Sequence, residues 1–186
     1  MFSINLPNVI SLARLFSVPI LVWLILNGQF LWALWLFVGA GISDALDGYI
    51  AKKWSQTSTL GTFLDPVADK ALLVGVYSTL GFIGEIPLWI VILVVFRDAL
   101  IIGGVIMLHI SMASVKMRPI LISKANTAFQ ISLAVWILGE LGYGLVFSGI
   151  KFGLIYLVAL STVLSGGAYI MSLFGSEMNK SDGGVK

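Results

Sequence analysis

The chain has no cysteine. Disulfides, thiolate metal sites and cysteine nucleophiles are therefore excluded. Histidine is nearly absent: His109 stands alone at the end of an apolar run, where it reads as an interfacial residue rather than a ligand. Charge is scarce as well. Only 11% of the 186 residues are charged, against roughly a quarter in soluble domains, while 59% are hydrophobic. The small net charge, +2, does not suggest a nucleic-acid partner. The first thirteen residues contain no Lys or Arg. They match neither the basic leader of a secretory signal nor an Arg-rich transit segment, and the mature protein is expected to begin at Met1. No internal repeat or low-complexity segment is visible.

What is present is a series of apolar runs, each near the ~20 residues a membrane-spanning helix needs. Six are read, at about 8–27, 31–53, 65–84, 87–109, 121–141 and 150–174. Turn chemistry separates them at Asn27-Gly28, Gly84 to Pro87 and Gly139 to Gly144. The longer, polar connections are 54–64 and 110–120. The predicted fold is all-α and integral to the membrane, with six transmembrane helices. Residues 1–175 form one membrane domain, and 176–186 a flexible polar tail. Lys52, Lys53, Lys116, Arg118, Lys124, Lys180 and Lys186 all fall on one side of this layout, with Arg14 near it. Glu85 and Glu140 lie opposite, and Lys151 goes against the trend. The positive-inside rule places both termini, and the tail, in the cytoplasm. A bacterial inner membrane fits this pattern.

Of nine acidic residues, four lie within 44–69. Ionisable groups at membrane depth cost about 2.5–3.5 kcal/mol or more and usually serve a function. Asp44 and Asp47 are three apart, and Asp65 and Asp69 four apart, so on helices each pair shares a face. Asp65 precedes Pro66 and could also cap a helix starting there. Together the four carboxylates repel one another strongly unless cations fill the site. An all-oxygen donor set suits Mg²⁺ or Mn²⁺ rather than zinc. Gly48, Ala51 and Gly61 remove side-chain bulk where a phosphate or nucleotide could approach the backbone, and Lys52 and Lys53 add positive charge.

The string Asp44-Ala-Leu-Asp47-Gly48-Tyr-Ile-Ala51-Lys52, then eight residues to Gly61, three to Asp65 and three to Asp69, resembles the signature of the CDP-alcohol phosphatidyltransferases, D-x2-D-G-x2-A-R-x8-G-x3-D-x3-D. Only Lys52 departs, where the family usually has Arg. Lysine keeps the charge but loses the bidentate fork. The resemblance implies a homodimer of six-helix subunits, with a cavity on the cytoplasmic side that binds CDP-diacylglycerol. It also implies that Asp44, Asp47 and Asp65 ligate the metal, while Asp69 completes the site and acts as general base. Gly48, Lys52 and Gly61 would contact the CDP moiety, with Asn8 near the cytidine. Two ions about 4 Å apart suit such a transfer.

Two later strings narrow the acceptor. Arg97-Asp98, and Pro119-Ile-Leu-Ile-Ser123-Lys124-Ala-Asn126-Thr127-Ala-Phe-Gln130, are similar to the CMP-forming cardiolipin synthases, which use phosphatidylglycerol. The phosphatidylglycerophosphate synthases, which use glycerol 3-phosphate, resemble the chain at Asn5-Leu-Pro-Asn8. Arg97, Arg118 and Lys124 are the candidate acceptor-binding cations. Adjacent residues on a helix do not face each other, so Arg97 and Asp98 are each expected to find another partner. A reading from another class is a non-catalytic transporter or ion-binding membrane protein. Asp69→Asn is expected to retain Mn²⁺ binding better than Asp47→Asn while both lose turnover, as measured by metal titration and CMP release. Full activity in Asp69→Asn would remove that residue as base.

Overall fold

The computed structural model describes the backbone of residues 6–54, 59–110, 121–145 and 148–181. It describes their side chains except at 6–10, 44–54, 59–67, 69, 104–110, 148 and 172–181. Among the described residues there are six helices: α1 (Leu6–Leu26), α2 (Phe30–Trp54), α3 (Thr59–Phe82), α4 (Leu88–Ile110), α5 (Leu121–Tyr143) and α6 (Ser148–Ser181). No strand occurs among the described residues. The all-α expectation and the six helices are met, with two boundary differences.

Helix α3 begins at Thr59, so Asp65 and Pro66 lie inside it and Asp65 does not cap it. Proline lacks the N–H that would bond to residue 62, and the residue before proline reads as a helix boundary. Helices of membrane-type bundles nevertheless tolerate this loss. The 54–64 connection is accordingly short. At the other end of the chain, α6 runs for 34 residues to Ser181, about 51 Å at 1.5 Å per residue. The stretch Glu177-Met-Asn-Lys180 contains no glycine or proline to stop it.

Three short turns follow α1, α3 and α5. Each uses a glycine in the left-handed region, Gly28 (φ 71°), Gly84 (φ 83°) and Gly144 (φ 67°). Gln29 N donates to Leu24 O at 2.9 Å, Glu85 N to Leu80 O at 2.9 Å and Leu145 N to Glu140 O at 3.0 Å. These bonds satisfy carbonyls that the helix ends leave open.

Packing makes a closed ring. Helix α1 lies between α2 and α3; α3 continues to α4, α4 to α6, α6 to α5, and α5 returns to α2. A lighter α3–α5 contact braces the middle, helped by the Tyr77 hydroxyl, which donates to Gln130 O at 3.0 Å. The most extensive contact, α1 with α3, depends on Gly75, where an added Cβ would lie 2.9 Å from Val18 Cγ1.

The interior is graded. Near the three turns it is apolar, with Leu21, Ile25, Leu80, Ile86, Ile90, Ile137 and Leu138 buried. Ten or more residues away from the turns it becomes polar, with Arg14, Arg97, Asp98, Asn126, Gln130, Thr162 and Ser165 buried. The exterior carries large exposed apolar side chains such as Trp32, Trp35, Phe82, Phe96 and Tyr156, far more than an aqueous surface usually presents. Leu121–Tyr143 and Gly149–Met171 are long and apolar enough to cross a membrane. Lys151, the cation that goes against the charge trend, pairs with Glu85 at 2.5 Å beside the α3–α4 turn.

Gly75→Ala is expected to lower stability by about 1–3 kcal/mol through overpacking. Gly153→Ala, with open space around it, is expected to be neutral or to gain up to ~1 kcal/mol. Thermal unfolding of the purified variants checks both.

Candidate active site

The four aspartates sit on helical backbone, Asp44 and Asp47 on α2 and Asp65 and Asp69 on α3. Their side chains, and those of Asn8 and Lys52, lie outside the described residues, as does Arg118 altogether; Gly48 and Gly61 are placed as helical backbone only. Among the described residues no group of three or more His, Cys, Asp or Glu could hold a metal. The question of a metal site thus rests on the donor set, four carboxylates on two helices.

Those two helices border one cavity. It measures about 390 Å³ and is lined by Arg14 of α1, Phe37, Val38 and Ala40 to Ile42 of α2, Leu72 and Leu73 of α3, and Thr127, Ile131 and Val135 of α5. Its α2 wall ends two residues before Asp44, and its α3 wall starts three residues after Asp69. Helix α1 stands between α2 and α3 in the ring and brings the buried Arg14 guanidinium to the cavity. Pockets that take lipid-like or drug-sized ligands are typically apolar with a few polar anchors, and Arg14 and Thr127 supply these here.

Beyond the cavity, across α3, lies a buried ionic cluster. Asp98 is 2% exposed and Arg97 3%. Asp98 Oδ1 accepts from Arg97 Nη1 at 2.6 Å and from Lys70 Nζ at 2.8 Å. Arg97 Nη2 donates to Ser123 Oγ at 2.5 Å and to Ser165 Oγ at 2.7 Å, and Nε donates to Ser165 Oγ at 3.2 Å. Both members of the Arg97-Asp98 pair find partners on other helices, as expected. They also bond each other, which the ordinary divergence of neighbouring helical positions does not anticipate. Arginine's long, flexible stem lets its guanidinium reach the neighbouring carboxylate.

The two strings that bear on the acceptor therefore meet, since Arg97 on α4 holds Ser123 at the start of α5. Along α5, Asn126 and Gln130 open the buried stripe that continues through Leu133, Ala134, Ile137 and Leu138. Asn126 Oδ1 accepts from Ser161 Oγ at 2.7 Å and Thr162 Oγ1 at 2.8 Å on α6. Among the described residues Asn126 Nδ2, both amide atoms of Gln130 and Asp98 Oδ2 are buried without partners, positions that ordered water commonly fills. Lys124 is exposed. Lys70, Ser161, Thr162 and Ser165 were not among the sequence candidates. The available signal was a lysine directly after Asp69 in an apolar helix, and hydroxyls spaced three and four apart on α6.

With this geometry in place, the comparisons define the class. A family model described as CDP-alcohol phosphatidyltransferase matches residues 4–165, and the chain belongs to that family. Among its relatives, a fly protein (Drosophila melanogaster) named "Probable cardiolipin synthase (CMP-forming)" is 32% identical over 184 residues, covering 90% of this chain and 57% of that protein. A Streptomyces coelicolor protein named "Cardiolipin synthase (CMP-forming)" is 37% identical over 114 residues, 57% of this chain and 53% of that protein. A rice chloroplast protein (Oryza sativa) named as a CDP-diacylglycerol–glycerol-3-phosphate 3-phosphatidyltransferase is 35% identical over 147 residues, 70% of this chain and 45% of that protein. The chain spans about half the length of the curated relatives it matches.

Removing the buried carboxylate would leave two cations facing each other. Asp98→Ala is expected to cost about 3–5 kcal/mol, the usual penalty for breaking a buried pair from one side. Ser165→Ala, which removes one acceptor from a charged donor, is expected to cost about 1.5–3 kcal/mol. Thermal unfolding of each variant tests the ranking.

Proposed function

We propose that the protein is a CDP-diacylglycerol-dependent phosphatidyltransferase that uses phosphatidylglycerol as acceptor and releases CMP, making cardiolipin. The observation that carries this reading is the arrangement of the family's acidic string on α2 and α3, the two helices that flank α1 along the cavity. The names of the fly and Streptomyces relatives support the acceptor.

In this reading Asp44, Asp47, Asp65 and Asp69 hold Mg²⁺ or Mn²⁺, in two sites. Four carboxylates fit such hard, oxygen-preferring ions. When bound, the ions neutralise charge on the pyrophosphate of the donor. Asn8, Gly48, Lys52 and Gly61 bind the CDP moiety. Asp69 takes the proton of the acceptor hydroxyl as its oxygen bonds to the phosphatidyl phosphorus. The bond from that phosphorus to the CMP oxygen breaks, and CMP departs. Arg118 and Lys124 face the acceptor phosphate, and Arg97 supports that region through Ser123.

The proposed setting is a bacterial plasma membrane. The supports are the apolar exterior, the two helices of spanning length and the distribution of Lys and Arg. The termini and the open side of the cavity face the cytoplasm, residues 1–175 form the membrane domain with 176–186 as its tail, and the enzyme works as a homodimer.

A second acceptor, sn-glycerol 3-phosphate, is favoured by the rice relative. Purified protein with CDP-diacylglycerol and radiolabelled acceptors decides between them. The expected result is cardiolipin and CMP from phosphatidylglycerol, dependent on Mg²⁺ or Mn²⁺ and abolished by chelator. Consumption of glycerol 3-phosphate alone would overturn the cardiolipin assignment. Absence of CMP release with either acceptor would favour a transporter or ion-binding protein.

A further inference from the structure

We infer that Lys70 and Asp98, acting through Arg97, are positioning residues that set the acceptor-binding start of α5 against the catalytic face of α3. The inference rests on the phosphatidyltransferase reading above for the roles of Asp69 and Lys124.

The bonds trace a continuous path. Asp69, the proposed base, is followed directly by Lys70 on α3. Lys70 donates to Asp98 on α4. The same oxygen accepts from Arg97, whose other nitrogens hold Ser123 on α5 and Ser165 on α6. Ser123 is followed directly by Lys124, a proposed acceptor contact. Each end of the clamp is thus one residue from a group assigned to chemistry or recognition, and four helices meet at it.

Three features mark it as a clamp rather than a ligand site. Arg97 and Asp98 are almost fully buried, and each nitrogen of the guanidinium donates to a protein oxygen. One carboxylate oxygen also takes two cations, Arg97 and Lys70, and apolar residues of similar volume often equal or exceed such a buried ionic group in stability. Its retention is better explained by register. In a lipid-facing bundle the hydrophobic effect does not select one helix alignment over another, whereas interhelical polar bonds do.

A clamp with this placement affects the acceptor more than the donor. Of the proposed CDP-binding residues, Gly61 lies on α3, whereas Asn8 lies on α1 and Gly48 and Lys52 on α2, and the cluster's bonds among the described residues run between α3, α4, α5 and α6. Reactions are sensitive to small displacements of this kind, with about 10²-fold in rate for 1 Å.

The test uses the full chain in proteoliposomes, as wild type, Lys70→Met, Lys70→Arg and Asp98→Asn. Glu85→Gln serves as control, since it breaks a comparable ion pair at the opposite end of the bundle. Lys70→Met and Asp98→Asn are expected to raise KM for phosphatidylglycerol and to lower kcat by about 10- to 100-fold. KM for CDP-diacylglycerol should stay unchanged, and Lys70→Arg should recover most of the loss. Loss of folded protein alone would reduce the active fraction without moving either KM, and that result would overturn the inference.

A second measurement does not depend on activity. The chain lacks cysteine, so spin labels at Ser78→Cys on α3 and Ala125→Cys on α5, both exposed, report the separation of the two helices. The distance distribution is expected to shift or broaden in Lys70→Met and Asp98→Asn, to return in Lys70→Arg and to be unaffected by Glu85→Gln. Superimposable distributions in all five proteins would also overturn it. If wild type releases no CMP, the functional reading fails, and the distances alone judge whether the clamp holds α3 against α5.

Discussion

A carboxylate sealed from water must be met by cations and hydrogen-bond donors, because its desolvation is otherwise prohibitive. Asp98 is such a group, and its demands reach across the bundle. Lys70 comes from α3, and Arg97 reaches the carboxylate from the adjacent position on α4. The guanidinium so placed needs acceptors of its own, which Ser123 of α5 and Ser165 of α6 provide. One buried charge therefore requires four helices to be neighbours in a particular alignment. Asn126, held by Ser161 and Thr162, repeats the device without charge one turn further along α5.

The rest of the ring is arranged around that polar half. Helix α1 fits closely against α3 at Gly75, leaving α2 on the far side and a cavity between α1, α2, α3 and α5. The acid-bearing stretches of α2 and α3 begin where the cavity walls end. The division of labour is spatial. The cavity is bordered by α1, α2, α3 and α5, while the Asp98 cluster joins α3 to α4, α5 and α6. Helix α3 is common to both, so its register is shared by every part of the site.

Much of this fold was legible in the sequence because its signals are local. Apolar runs of spanning length place four helices to within a few residues at both ends, together with the end of α3 and the start of α6. Gly28, Gly84 and Gly144 mark turns because only glycine takes the left-handed backbone readily. The start of α3 was misplaced for an equally local reason: Asp65-Pro66 has the appearance of a helix start, and only the surrounding bundle allows the helix to run through it. Lys151 looked anomalous by charge counting, and the structure accounts for it by pairing with Glu85, sixty-six positions away in sequence.

The candidate site divides in the same way. Spacing determined the two aspartate pairs and the small residues among them, since helical periodicity converts positions three and four apart into a shared face, and the string they form resembles the family's signature. Tertiary structure decided the partners. Whether Arg97 reaches outward or is held inside depends on where Ser123 and Ser165 lie, and no pattern within α4 contains that information. The same holds for Lys70, whose role is set by the helix that packs against it. Periodicity is a property of one helix, whereas the choice of which buried charges meet belongs to the order in which all six are packed.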